Sequence, residues 1–458
     1  MSKKISVLGL GKSGAAAANL AVKLGYEVFA SDNGGKKKIS DLNKKAKTEF
    51  CGHTDKVLDA DFIVKSPGIH SDIPILKKAA EKKIPVISEL KFALQNSKYK
   101  KLIAITGTNG KTTTTDLTAK IIKAAYKDSI VCGNIGKPLS ELALKTTKKT
   151  IITAELSSYQ LEDTPDFSPD ISVCLNITPD HLEHHKTMAR YIKAKENVFI
   201  NQKSEAFAVI NYDDKICRKI SRKIKAKKIF FSKKPLKNGV YYDNGKIVLS
   251  LRPPSRNPAV KNEIAGLARN DGKGIVILPQ IKIVGMHNIE NILAASAAAF
   301  CAGASPKIIE KTVSSYKGVE HRIEYVKTIS GAAYYNDSKS TNVDSTRVAL
   351  EAFKGNILLI MGGLDKGAPY APLKKLIKER VKAVLLVGLA SEKIKKELKG
   401  CSVFYDCKTV KNAVGKAHKI AKPEDIILLS PACASFDQFS NFEERGKTFK
   451  GCVEELVH

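Results

Sequence analysis

Leu102-Ile-Ala-Ile-Thr106-Gly-Thr-Asn-Gly-Lys111-Thr112-Thr113 decides how this chain is read. The first five residues are an apolar run of the kind a fully buried parallel strand carries. The stretch from Gly107 to Thr113 has the composition of a phosphate loop. Gly107 and Gly110 allow the backbone N–H groups of Thr108 and Asn109 to turn toward phosphate oxygens. Lys111 can follow the terminal phosphates, and the Thr112 hydroxyl, with Thr113 beside it, suits Mg²⁺. A helix running from here to about Tyr126 adds the positive end of its dipole. The spacing is Gly-x-x-Gly-Lys-Thr, shorter than the generic motif, which would place glycine where Ile105 stands. The bland alternative is an ordinary strand-to-helix turn. Strand, lysine, paired threonines and helix in this order weigh against it.

Outward from this loop the chain falls into three blocks, taken as domains 1–97, 98–317 and 318–458. In the first, short apolar runs (Ile5-Leu8, Val28-Ala30, Phe62-Val64, Val86-Ile87) alternate with helix-like polar stretches. That is the rhythm of a parallel α/β sheet. Gln95-Asn96-Ser97-Lys98 reads as a polar linker. The second block continues with strands at Ile151-Ala154 and Ile171-Asn176, hairpins and loops from about Val240 to Pro279, and a helix over about Asn288–Ala302. The third repeats the βαβ rhythm, with strands at Ala333-Asn336, Ile357-Met361, Ala383-Val387 and Ile426-Leu429. The fold class expected is α/β in three domains: Rossmann-like, P-loop ATPase, Rossmann-like.

Chemistry-bearing residues cluster at the ends of these strands. Glu155 closes Thr153-Ala-Glu155, where an acid points into the crevice used by ligands of open α/β sheets. With Thr112 it offers the few hard oxygens Mg²⁺ prefers. Asn176-Ile-Thr-Pro-Asp180-His181-Leu-Glu-His184-His185 holds three histidines. His181 and His185, four apart, would share a helix face and raise the question of zinc. Leu182 stands where a zinc-protease motif needs glutamate, and no cysteine accompanies the cluster. His184-His185 then reads as a solvated surface pair.

Gly9-Leu10-Gly11-Lys12-Ser13-Gly14 follows the first strand, and Asp32 ends the next one. Alone this is a dinucleotide fingerprint, but the same loop serves any diphosphate, and a simple dehydrogenase has no phosphate loop downstream. In the third block Arg322 offers a fixed cationic fork for a transferring phosphate. Asp337 suits a nucleotide ribose and Lys339 developing phosphate charge. Phe436, Phe439 and Phe442, spaced by three, could also be one core face of a helix. Cys433 has no histidine nearby in sequence to make it a nucleophile.

Gly107–Thr113, the Asp180-His181…Lys195 element, Asn336-Asp337-Ser-Lys339-Ser-Thr341-Asn342 and Ser430-Pro-Ala-Cys433-Ala-Ser435-Phe436-Asp-Gln-Phe439-Ser-Asn-Phe442-Glu-Glu-Arg445-Gly446 together resemble the Mur ligase family along the whole chain. The last two are similar to its D-glutamate-adding branch. The resemblance implies ATP-dependent addition of D-glutamate to UDP-N-acetylmuramoyl-L-alanine, through an acyl phosphate, in peptidoglycan precursor synthesis. It implies two Mg²⁺, with His181 on the second, and a Lys195 carbamylated by CO₂. It puts Asn288 and Asn291 near the nucleotide. Leu10, Gly11, Lys12, Ser13, Asp32, Asn33, Ser66 and Gly68 fall around the UDP moiety, and Asn134 among the substrate contacts. Thr341, Lys366, Ser435, Phe436 and Phe442 fall on D-glutamate, Lys366 pairing with its distal carboxylate. A folylpolyglutamate-type ligase shares the ATP loop but has no reason to carry Gly9-Leu-Gly11 and Asp32. A non-catalytic relative would have no need of Lys111, Glu155 and His181.

Composition closes off other classes. The net charge is +31, yet arginines number only about ten and runs such as Lys36-Lys37-Lys38 are short and dispersed. That argues against nucleic-acid binding, for which arginine is the better reader. Nine scattered cysteines without a Cys-x-x-Cys pair indicate reduced thiols rather than a disulfide framework. MSKKISVLGL has too short an apolar run for a signal peptide, and no stretch approaches ~18 apolar residues. The expectation is a cytoplasmic enzyme, monomeric, with no membrane or nucleic-acid partner.

Overall fold

The structure is a computed structural model that describes residues 3–35, 42–164, 166–250, 275–277 and 286–456. The Lys36–Lys38 run and much of the segment expected to form hairpins and loops (251–274 and 278–279) lie outside the described residues. Three sheets carry the fold. The first is all parallel, β3-β2-β1-β4-β5, from β1 (Lys4–Leu8), β2 (Glu27–Asp32), β3 (Lys47–Phe50), β4 (Phe62–Lys65) and β5 (Val86–Ser88). Alternate residues enter two different cores. Val7 and Val64 pack with Ala17, Ala21 and Phe92, whereas Leu8 and Ile63 pack with Val57 and Ile75. Both faces of the central strands β1 and β4 are covered, so these strands read as largely apolar runs.

The second sheet is built on β6 (Lys101–Thr106), β7 (Ser129–Gly133), β8 (Ile151–Glu155), β9 (Ile171–Cys174), β10 (Phe207–Asn211) and β11 (Lys227–Ser232). They run in the order β11-β10-β9-β6-β8-β7, all parallel. β12 (Gly239–Asp243) extends it and turns through Asn244-Gly245 into antiparallel β13 (Lys246–Ser250), with β14 (Ile275–Ile277) at the edge. Both turn residues have positive φ, 45° and 82°, which is why Asn-Gly stands there. The third sheet, β15-β16-β20-β17-β18-β19, comprises β15 (Glu324–Ile329), β16 (Ala332–Asn336), β17 (Ile357–Gly362), β18 (Val381–Val387), β19 (Val403–Lys408) and β20 (Ile426–Leu429). Only β15 runs antiparallel. Its strands also alternate between two cores, Leu359, Met361 and Leu428 on one and Leu358, Ile360 and Ile427 on the other.

The chain packs as two compact units, one of Met1–Pro279 with Glu290–Val313, the other of Gln280–Ile289 with Ser314–His458. The first two sheets therefore share a unit. The expected linker is part of the reason. Asn96 and Ser97 donate side-chain hydrogen bonds to the carbonyls of Phe92 and Ala93, and the Lys98 N–H donates to Thr146 Oγ1 at 2.9 Å. These four residues finish the helix Glu89–Gln95 and tie it to the second sheet rather than forming a loose tether. Across the same join, Lys65 Nζ meets Asp163 Oδ1 at 2.8 Å, with both side chains less than a tenth exposed (5% and 8%). All nine cysteines are unbonded. Among the described residues no helix is long and apolar enough to cross a membrane.

Candidate active site

β6 lies between β9 and β8, and all three run the same way. Their C-terminal ends deliver the phosphate loop, Glu155 and the 175–181 segment to one place, as parallel sheets do. Gly110, at φ 85°, starts the helix Lys111–Ala125. A Cβ here would strike the Asn291 side chain, so glycine is required for the close approach as well as for the dihedral. The structure thus brings Asn291 to the loop. Asn288, one turn earlier on the helix Met286–Ala302, is also buried. Lys111 Nζ donates to the carbonyls of Gly107 (2.9 Å) and Thr108 (2.7 Å), folded across its own loop.

Asn176 holds that loop in shape, a role invisible in its sequence position. Its carbonyl accepts from Thr108 N–H at 2.9 Å, its Oδ1 accepts from Asn109 N–H at 2.8 Å, and its Nδ2 donates to the Asn109 carbonyl at 3.1 Å. Thr108 Oγ1 is within 3.0 Å of Tyr191 Oη.

Glu155 is 1% exposed. Its Oε1 accepts from Asn134 Nδ2 at 2.8 Å, while Oε2 has no hydrogen-bond partner. A buried carboxylate oxygen without a donor is costly unless a cation reaches it. The residues present therefore fit a Mg²⁺, with Thr112, half-buried on the first turn of the helix, as the second protein oxygen. Lys195, on the helix Met188–Ile200, is 2% exposed and donates to the Gly107 carbonyl at 2.8 Å. Burial first, and then the neighbouring Lys111 ammonium, pull its pKa down to about 7. His181, at φ 53°, sets its Nδ1 3.2 Å from Tyr159 Oη. Lys111, Asn134, His181, Lys195 and Gly68 line one cavity of about 370 Å³ together with Pro67, Tyr159 and Tyr191.

The histidine pair corrects the sequence reading. His185 is 1% exposed and His184 is mostly covered, so they are not a solvated surface pair. His181 sits in the left-handed region ahead of the short helix Leu182–His185 and is half-exposed, so it does not share a helix face with His185.

In the first sheet's loop, Asp32 Oδ2 accepts from Leu10 N–H at 2.5 Å and its Oδ1 from Gly34 N–H at 2.7 Å. Ser66 Oγ donates to the Gly9 carbonyl at 2.8 Å. A Cβ on Gly14 would collide with that same carbonyl. Asp32 and Ser66 thus each hydrogen-bond the backbone of the Gly9-Leu10 turn. Gly11, Lys12 and Asn33 are exposed beside it and Ser13 is half-buried, with the Lys12 ammonium 2.5 Å from the Gly136 carbonyl.

In the second unit the neighbours β16, β20 and β17 end in the loops 336–342, 430–436 and 362–367. A bridge between Leu364 and Ala434 pairs the last two. Lys366 Nζ lies 3.5 Å from Thr341 Oγ1 and is exposed, while Ser435 is buried. Arg445, singled out by no role in the sequence, is 1% exposed and ties the loops together. It donates to Ser338 Oγ (3.0 Å), the Ser338 carbonyl (2.9 Å), and the carbonyls of Cys433 and Ala434 (3.2 Å each). Lys339 Nζ stands 5.8 Å from the centre of the Phe442 ring.

One expectation changes here. Phe436 is 68% exposed on a turn, and Phe442 opens a separate helix, Phe442–Glu454, so the three phenylalanines are not one helix face. Asp337 is 1% exposed and faces inward. It accepts from Ser430 Oγ at 2.7 Å and from Ile323 N–H at 3.2 Å, and burial raises its pKa to about 6. Its visible work is to hold the turn that presents Arg322, whose neighbours His321 and Ile323 both have positive φ (64° and 44°). A β-branched residue there is strained and needs such an anchor. Cys433 is fully buried 3.0 Å from Tyr370 Oη, and burial raises its thiol to about 11, far from a nucleophile.

Comparison with known proteins gives the same assignment over each sheet. Residues 3–88 match the Mur ligase MurD-like N-terminal domain, 105–299 the Mur ligase middle domain, and 321–433 the Mur ligase glutamate ligase domain. The chain is 44% identical to the UDP-N-acetylmuramoylalanine--D-glutamate ligase of Elusimicrobium minutum, covering 99% of this chain and 98% of that one. It is 41% identical to the protein of the same name from Koribacter versatilis, at the same coverage. Among solved structures, UDP-N-acetylmuramate-alanine ligase MurC of Thermotoga maritima aligns with a TM-score of 0.60 at 19% identity, covering 99% of each chain. MurF ligase from the same organism, in complex with ADP, aligns at 0.61 and 16%, covering 99% of this chain and 96% of its own. These structures share the fold. Matched from end to end by relatives and across all three sheets by family models, the chain belongs to the Mur ligase family.

Proposed function

We propose that the protein joins D-glutamate to UDP-N-acetylmuramoyl-L-alanine at the expense of ATP, in peptidoglycan precursor synthesis. The observation that carries this is the convergence of Lys111, Lys195 and His181 on one cavity, with the Glu155 carboxylate, one oxygen of it orphaned, bound to the cavity-lining Asn134, in a chain with end-to-end relatives named for that reaction. The domains are 1–97 for the UDP substrate, 98–317 for ATP and 318–458 for the amino acid.

The alanine carboxylate attacks the γ-phosphate, and ADP leaves. The amine of D-glutamate then attacks the acyl phosphate, a tetrahedral intermediate collapses, and phosphate departs. Negative charge passes from phosphoryl to carbonyl oxygen, so fixed cations supply most of the stabilisation. Lys111 follows the γ-phosphate; Arg322 and Lys339 are assigned to phosphate charge. Thr112, Glu155, His181 and a carbamylated Lys195 would hold Mg²⁺, which supplies Lewis-acid neutralisation of phosphate charge. A lysine whose pKa has fallen to about 7 is substantially neutral at neutral pH, and the neutral amine is the form that reacts with CO₂. The carbamate would turn a buried cation, unable to ligate, into a pair of oxygens. Thr341, Lys366, Ser435, Phe436 and Phe442 form the D-glutamate site. The Leu10–Ser13 turn, Asp32, Asn33, Ser66 and Gly68 hold the UDP moiety.

The deciding experiment is phosphate release with UDP-N-acetylmuramoyl-L-alanine as acceptor and each amino acid supplied in turn. Release specific to D-glutamate supports the reading. Comparable turnover with L-alanine, a diamino acid or a folate acceptor overturns the D-glutamate assignment.

A further inference from the structure

Three groups from two short helices meet beside the cavity without serving it. Glu162 ends the helix Ser158–Glu162, and His184 and His185 end Leu182–His185. Glu162 Oε2 lies 2.9 Å from His184 Nε2 and 3.8 Å from His185 Nδ1, and one ligand atom from each residue falls within 4.8 Å of the others. Ligands bound at ~2.1 Å in a tetrahedron sit roughly 3.4 Å apart, so these spacings suit a shared ion.

The strongest indication is His185. Its side chain is wholly buried, and its Nδ1, directed at Glu162, has no hydrogen-bond partner. Its other nitrogen, Nε2, is 2.9 Å from Ser158 Oγ. His184 is arranged likewise: Nε2 faces Glu162, and Nδ1 lies 3.1 Å from His70 Nε2. Each imidazole thus offers one nitrogen to a common point while the other is oriented by a hydrogen bond. Metal-ligating histidines are held in this way, the outer partner setting tautomer and ring direction.

We propose that Glu162, His184 and His185 form a binding site for a divalent transition-metal ion of the zinc class, separate from the Mg²⁺ centre at Glu155. Two imidazoles and one carboxylate select Zn²⁺ or Co²⁺ over Mg²⁺. Glu162 is 43% exposed, so solvent reaches this cluster from its side. His70 follows Ser66-Pro67-Gly68 in the first sheet's loop, so an ion at this site would stiffen the contact between that loop and the segment carrying His181. The Tyr159 ring packs against both histidines of that segment, its centre 4.3 Å from that of His184 and 5.1 Å from that of His181.

The test uses the full-length protein, stripped with chelator and titrated with Co²⁺ and then Zn²⁺ in a large excess of Mg²⁺, which occupies the hard-oxygen centre. The expected result is a single equivalent of Co²⁺ with d–d absorption in the visible, displaced by Zn²⁺. Glu162→Gln and His184→Gln should each weaken binding by roughly 100-fold. His70→Ala, which removes only an outer partner at an exposed position, should weaken it by about 10–100-fold. His181→Ala should leave it unchanged. Circular dichroism on each variant separates lost ligation from lost fold, and the His70 variant carries the test should the others unfold. Absence of uptake by the parent in Mg²⁺ excess overturns the proposal. So does uptake that survives His184→Gln and Glu162→Gln but disappears in His181→Ala.

Discussion

The ammonium of Lys195 reaches the carbonyl oxygen of Gly107 at 2.8 Å, joining the middle of one helix to the first glycine of the phosphate loop 88 residues earlier. Lys111 donates to the same carbonyl at 2.9 Å. Two cations converge on one backbone oxygen, and a buried amine so placed is under pressure to give up its proton. Lys195→Ala is therefore expected to be nearly inactive, and short carboxylic acids should restore part of the rate by replacing the carbamate oxygens. The checks are steady-state phosphate release with and without added acid, and the site's density in an active crystal. A bare ammonium in an active, Mg²⁺-loaded enzyme would refute the carbamate.

Lys111→Ala removes the cation that tracks the γ-phosphate and should slow turnover by ~10²-fold or more. Because the side chain is only half-buried, folding should be preserved, and thermal melting of the variant provides the control. Near-normal turnover would show that this loop is not the catalytic phosphate site.

Lys366 stands 3.5 Å from Thr341 in an exposed position. Losing a cation that pairs with a ligand carboxylate costs about 2 kcal/mol or more once the pair is desolvated. Lys366→Ala should accordingly raise the KM for D-glutamate by at least ~10-fold and leave the KM for ATP near the parent value. L-glutamate should be a poor substrate, because inverting the α-carbon displaces the amine when both carboxylates stay anchored. Equal KM changes for ATP and D-glutamate would remove Lys366 from the amino-acid site.

Arg445 satisfies two oxygens of Ser338 and the carbonyls of Cys433 and Ala434. Burial lowers its pKa to about 10, so it stays charged at neutral pH. Lysine cannot reproduce four donations from a planar fork. Arg445→Lys should destabilise the protein by about 3 kcal/mol, leaving buried acceptors unmatched, and should raise the KM for D-glutamate. Urea denaturation and substrate titration read the two effects. An unchanged midpoint would mean that Arg445 does not brace these loops.

Asp337 supplies a pH dependence whose sign is determined by its burial. Its folded pKa, about 6, lies above the ordinary 3.8, so between these values the folded state binds more protons than the unfolded one. Stability must then fall as pH rises from about 4 to 6, by on the order of 2–3 kcal/mol from this group. Asp337→Asn keeps the shape and should flatten that part of the profile. The measurement is the denaturation midpoint against pH for both proteins. An identical slope would show that Asp337 is not the buried acid described.

The chain's own pattern was enough for the central strands and the phosphate loop. Strands such as Leu102–Ile105 and Ile357–Met361 are covered on both faces, so every position must be apolar, and Gly110 is glycine because no other residue fits its dihedral and its neighbour. Edge strands obey no such demand: β3 (Lys47–Phe50), β7, β15 and β19 have partly exposed patterns and escape the reading. Interior β10 and β11 escape it too, the latter opening on two lysines. Residue type at a strand end likewise singled out Glu155, whereas His181, Lys195 and Lys366 were named by the family resemblance. Tertiary structure alone decided which way they face. It turned Asp337 inward, exposed Phe436, buried His185 and made Arg445 and Asn176 braces. A side chain's environment is set by neighbours distant in sequence, and the energy of a buried polar atom depends on which partners the fold brings to it.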